Sequence, residues 1–123
     1  MQANYTYISN SDPQVLTEAS KKNYNISGFY EDDLFALRAS YTWRDKFVSL
    51  GLPGGYNGLG ITTQARGNLD VNLTVNVTEQ VSLIAEATNV LDNVDKTRTT
   101  LGDLPADYFD VGRQILVGAR FRF

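Results

Sequence analysis

The 123-residue chain contains no cysteine and no histidine. A disulfide framework, a thiolate or imidazole metal site, a Ser-His-Asp triad and a Cys-His pair are therefore all excluded. No catalytic set emerges from the residues that remain, so neither an enzymatic activity nor a cofactor is expected. Cations are in the minority: 11 Lys plus Arg against 14 Asp plus Glu give a formal charge of −3. That balance excludes the Lys/Arg-rich face a nucleic-acid binder needs to neutralise phosphates. No apolar run reaches the roughly 18 to 20 residues of a membrane-crossing helix. The opening MQANYTYISN lacks the basic stretch and apolar core of a secretory signal, so an exported form is expected to carry one upstream.

What is present is alternation. From Gly67 to Val77, Leu69, Val71, Leu73, Val75 and Val77 alternate with Asn68, Asp70, Asn72, Thr74 and Asn76, the period of two that gives a strand one apolar and one polar face. Phe35, Leu37, Ala39, Tyr41 and Trp43 alternate with residues that include Arg38 and Arg44. Val81 to Leu91 and Phe109 to Phe123 repeat the pattern, with Glu86 and Arg120 on their polar sides, as do Asn23 to Tyr30 and, weakly, Ala3 to Ser9. The pattern predicts an all-β, antiparallel up-and-down meander of about six strands near residues 3–9, 22–30, 34–45, 62–77, 81–91 and 108–123. The connections at residues 31–33 and 78–80 are hairpin-tight. Those at 10–21, 45–61 and 92–107 are long and carry all three prolines and a glycine cluster. In a meander every second connection falls on one side, so short turns share one rim and long loops the other, the asymmetry of outer-membrane barrels.

Alternation by itself also fits a soluble antiparallel sheet with one buried face, half a sandwich or a lipocalin-like barrel serving as a binding module. Three features favour a membrane wall. Strands of about 10 residues, at ~3.4 Å per residue and a tilt near 45°, rise roughly 24 Å, the height of the apolar band of such a barrel. Aromatic residues gather at strand ends: Tyr30, Phe35, Phe121 and Phe123 toward the short turns, and Tyr24, Tyr41, Trp43 and Phe109 toward the long loops, as interfacial girdles do. The opposite face bears Arg38, Asp70, Glu86 and Arg120, charges of both signs that suit a hydrated lumen.

At this point the residues resemble the C-terminal end of TonB-dependent receptors. Ala87-Thr88-Asn89-Val90-Leu91-Asp92-Asn93 is similar to the penultimate-strand motif of that family, and Gly112-Arg113, Gly118 and the terminal Phe123 are similar to its last strand. The segments ending Tyr30-Glu31 and running Ser40-Tyr41-Thr42-Trp43-Arg44 look like two of its paired strands. The resemblance implies a 22-stranded barrel in the Gram-negative outer membrane with an internal plug. It implies active import of bulky, scarce solutes such as ferric siderophores, cobalamin or oligosaccharides, with a passive porin-type barrel as the alternative inside membranes. The chain would supply the last six strands, the plug domain, signal peptide and TonB-contacting segment lying outside it. The implied partners are outer-membrane lipid and lipopolysaccharide, the barrel-assembly machinery, and the TonB complex reached through the absent N-terminal part. Phe123, supported by Phe121, would be part of the signal read by the assembly machinery.

Other features have simpler readings. Tyr56 and Asn57, amid glycines, are candidates for external-loop contact with a solute, although a connector or a lipopolysaccharide contact explains them as well. Asp92, Asp95, Asp103, Asp107 and Asp110 have the chemistry of a hard-cation site but not the spacing of an ordered ligand loop, and are expected to be a solvated acidic loop. Asp70 and Glu86 are expected to join Arg38 and Arg120 in a charge network and not to act as a hydrolytic pair.

Overall fold

A computed structural model describes residues 2–9 (backbone), 20, 22–49 and 60–123. The protein is all-β and antiparallel. Its main sheet holds six strands in chain order, β1 (Gln2–Ser9), β2 (Lys22–Glu31), β3 (Phe35–Arg44), β6 (Arg66–Asn76), β7 (Val81–Thr88) and β10 (Gln114–Phe121). Four shorter strands, β4 (Phe47–Ser49), β5 (Ile61–Thr63), β8 (Asp95–Thr99) and β9 (Pro105–Phe109), form a second sheet in the order β4-β5-β8-β9. Among the described residues there are ten strands: six form the main sheet as the alternation suggests, the strand expected over 62–77 is divided into β5 and β6, and β4, β8 and β9 arise within or beside the connections at 45–61 and 92–107.

Register aligns the two faces across the main sheet. Ala39 lies opposite Val71, Val71 opposite Ala87, and Ala87 opposite Ile115; one step along, Leu37, Leu73, Ala85 and Val117 form the next row. Tyr24 faces Trp43 and Tyr30 faces Leu37. Because directly opposed residues share a face, the apolar sets merge into one continuous wall, and the polar sets form its reverse. No layer covers that wall among the described residues. Leu37, Leu83, Ile115, Val117 and Phe121 are exposed, Ile115 and Val117 by more than 70%, and Ile61 is the one buried hydrophobic side chain among the described residues.

The second sheet is an upper tier of the first. Arg44 lies opposite Arg66, and three residues further along each strand Phe47 lies opposite Thr63, so the β3–β6 hairpin continues in register as β4–β5. The β7–β8 strand differs. From the Val71–Ala87 pair to the Thr63–Thr97 pair is eight residues on one strand and ten on the other. From Thr88–Gln114 to Asp95–Phe109 it is seven on β7–β8 and five on its other neighbour. Two surplus residues therefore sit in β7–β8 alone, between the tiers. The last strand is also broken: Gly112 at φ 66° takes the left-handed region open to glycine, so residues 108–123 are not one strand, and Phe109 belongs to β9, opposite Asp95.

The short turns share one rim. At residues 32–34, Asp32 accepts the backbone N–H groups of Leu34 (2.9 Å) and Phe35 (2.8 Å), and the Tyr30 hydroxyl donates to it at 2.9 Å. These bonds, led by the one from Phe35, favour the carboxylate and hold Asp32 below the usual 3.8. A depressed folded-state pKa contributes stability above the unfolded value that is lost as pH falls through the folded one. Asp32→Asn is accordingly expected to remove part of the acid sensitivity of unfolding, and the Asp32 carboxyl carbon to titrate below 3.8 by NMR.

Candidate functional site

Of the charged residues on the polar face, Arg38, Asp70 and Glu86 line one open cleft of about 220 Å³ together with Ser40, Asn72 and Thr88. Arg120 lies outside it, opposite Ser82 near the turn rim. The carboxylates in the cleft are held by amides. Asn72 donates to Glu86 at 2.8 Å, and Asn68 donates to Asp70 at 2.9 and 3.0 Å. Arg38 packs its guanidinium over the Phe29 ring, 5.8 Å from the centroid. None of the ion pairs among the described residues joins these four charges. The two carboxylates of the cleft are thus met by short amide neighbours, while Asn68 Oδ1 on the same face has no hydrogen-bond partner among the described residues.

Above the cleft stands a node that sequence reasoning marked only as a motif. Asn89, 5% exposed, takes φ 52°, a conformation asparagine tolerates better than most residues. Its side-chain amide donates to the carbonyls of Asn93 and Gly112, both at 3.1 Å, and its side-chain oxygen accepts the Asn93 N–H at 3.1 Å. The Asn89 N–H donates to Asp70 at 3.1 Å, Asn93 donates onward to the Gly67 carbonyl at 2.7 Å, and Asp92 N–H closes the turn on Asn89 O at 2.8 Å. The motif is thus where the two surplus residues of β7–β8 are folded away, tied to β6 on one side and to the segment leading into β10 on the other. Beside it, a Cβ on Gly67 would come within 2.5 Å of the Tyr41 hydroxyl; the missing side chain gives that ring its seat.

Aromatic pairs mark both ends of the apolar wall. Tyr24 stacks on Trp43 with centroids 4.7 Å apart near the long-loop rim, and Tyr30 meets Phe35 at 5.2 Å by the turn. Phe35 and Trp43 are eight residues apart on β3, about 27 Å along the strand at ~3.4 Å per residue. Phe121, opposite Val81, and Phe123 are exposed at the turn rim. Tyr56 and Asn57 lie outside the described residues. The acidic residues of the long loop disperse onto separate partners: Asp92 to Arg113 (3.4 Å), Asp103 to Arg98 (2.9 Å), Asp95 to Arg44 (3.3 Å) and to Arg66, and Asp110 to the Gly112 N–H (2.7 Å).

Neither a protein-family model, nor a curated protein, nor a solved structure matches this chain.

Proposed function

We propose that the chain is the C-terminal part of the β-barrel of a TonB-dependent receptor, an active transporter of the Gram-negative outer membrane. The cargo class is a bulky, scarce solute: a ferric siderophore, cobalamin or an oligosaccharide. The observation that carries this reading is the uncovered apolar wall. Four neighbouring strands, β3, β6, β7 and β10, present aligned Val, Leu, Ile, Ala and Phe side chains on one face, framed by aromatic pairs, with amide-held charges on the reverse. A water-soluble sheet needs a second layer over such a face, whereas acyl chains cover it in a bilayer. The outer edges of β1 and β10 point to further strands in the parent barrel, because each unsatisfied backbone group in lipid costs several kcal/mol. Ten such groups would cost tens of kcal/mol.

The assignment is tested by fractionation and uptake in cells expressing the complete parent protein. The protein is expected in the outer membrane, extracted by detergent alone, with solute uptake that stops when an uncoupler collapses the inner-membrane gradient. Uptake that persists would favour a passive porin-type barrel, and a monodisperse, detergent-free monomer would exclude a lipid-facing wall.

A further inference from the structure

We propose that Arg44 and Arg66 form an anion site at the junction of the two tiers, taking a carboxylate or phosphate group of a dissolved ligand. The two guanidinium-bearing residues are directly opposed on β3 and β6, an arrangement of like charges that is unfavourable unless an anion lies between them. One carboxylate does: Asp95, at the start of β8, bonds Arg44 at 3.3 Å and Arg66 more closely. It leaves the pair short of acceptors. Each guanidinium carries five N–H donors; Asp95 engages one terminal nitrogen of each, Arg44 Nη2 and Arg66 Nη1, while the Nε atoms are buried and do not open onto the cleft, so the spare donors are on the remaining terminal nitrogens. Two cations against one carboxylate leave one net positive charge. The pair opens onto a cleft of about 360 Å³ whose remaining lining is Thr42, with a hydroxyl able to donate, and Asn68, whose amide N–H is already given to Asp70. The Arg44 guanidinium is steadied from behind by the Phe47 ring, 5.0 Å from its centroid. Arginine's planar fork matches planar and tetrahedral oxyanions by paired N–H bonds, so the cleft has both the charge and the spare donors for a second oxyanion beside Asp95.

The site's position at the long-loop end of the polar face, and hence at the external mouth of a lumen, rests on the barrel reading; anion binding itself does not. The test is equilibrium titration of the purified, detergent-solubilised parent protein with inorganic phosphate and, separately, with citrate. Saturable binding is expected from at least one of them. Arg44→Gln and Arg66→Gln should each weaken it about tenfold or more, the usual scale for losing a charge-assisted bond. Asp95→Asn, which removes the competing carboxylate, should tighten it; a gain of affinity cannot arise from misfolding. Absence of saturable binding in the unaltered protein would overturn the proposal. So would Asp95→Asn weakening binding as much as the arginine changes in a protein that keeps its heat-stable folded band on electrophoresis. A detergent-free soluble monomer that still binds phosphate would remove the membrane assignment and leave the anion site standing.

Discussion

On the barrel reading proposed above, arginine substitutions along one strand are expected to destabilise the protein according to depth and face. Val71 occupies the middle of β6, in the row Ala39–Val71–Ala87–Ile115. Val71→Arg on a lipid-facing wall should cost about 2 to 4 kcal/mol, the penalty at a bilayer midplane. Val75, on the same face but opposite Phe35 at the turn end, sits near an interface, where the same change should cost about 0 to 1 kcal/mol. Ser40, one residue from Ala39 on the opposite face and paired with Asp70, should accept arginine at little cost, since Asp70 is there to meet the new charge. Urea unfolding of the complete barrel in lipid vesicles reads all three. Equal losses at Val71 and Ser40 would contradict the facing.

Asn89→Ala should be comparably severe, for a different reason. The substitution strips partners from the Asn93 N–H and from the Asn93 and Gly112 carbonyls. It also places alanine at a left-handed φ. Orphaned buried groups cost about 1 to 3 kcal/mol each, softened where water enters, and the backbone adds roughly 1. A net loss of about 3 kcal/mol in unfolding free energy is expected. Asn89→Gly keeps the φ without strain and should recover about 1 kcal/mol of that loss. If the two variants were equally unstable, the backbone contribution would be refuted; if both matched the unaltered protein, so would the node.

The strands of the main sheet were legible because each puts one residue class on one side over eight to eleven positions, and tertiary packing had no reason to override that. The upper tier was not. β4, β5 and β8 are three to five residues long and rich in Ser, Thr, Lys and Asp, without the contrast that reveals a face; they are strands because they prolong ladders already begun below. The last strand read as too long because Phe109 and Val111 keep the alternation going through a segment that Gly112 turns aside. Among the polar residues, charge suggested that Arg38 and Arg120 would answer Asp70 and Glu86, yet asparagines directly opposite or two residues away reach those carboxylates with less entropy to lose. The role of Asn89 depends on carbonyls of Gly112 and Asn93 brought close by a break in register, which composition does not encode. The opposition of Arg44 and Arg66 follows from counting along the β3–β6 ladder. Asp95 reaches them only through the two-residue surplus.

Strand β10 has consequences for how the protein must be handled as it is made. Among the described residues its one ladder is with β7, its whole length is exposed, and Ile115, Leu116 and Val117 stand in an uncharged, proline-free run. Such a ribbon is a template for cross-β stacking of identical copies. In the barrel proposed above, its fate until a neighbouring strand docks is a race between a first-order closure and a concentration-dependent self-association, so dilution or a holding chaperone should decide the yield.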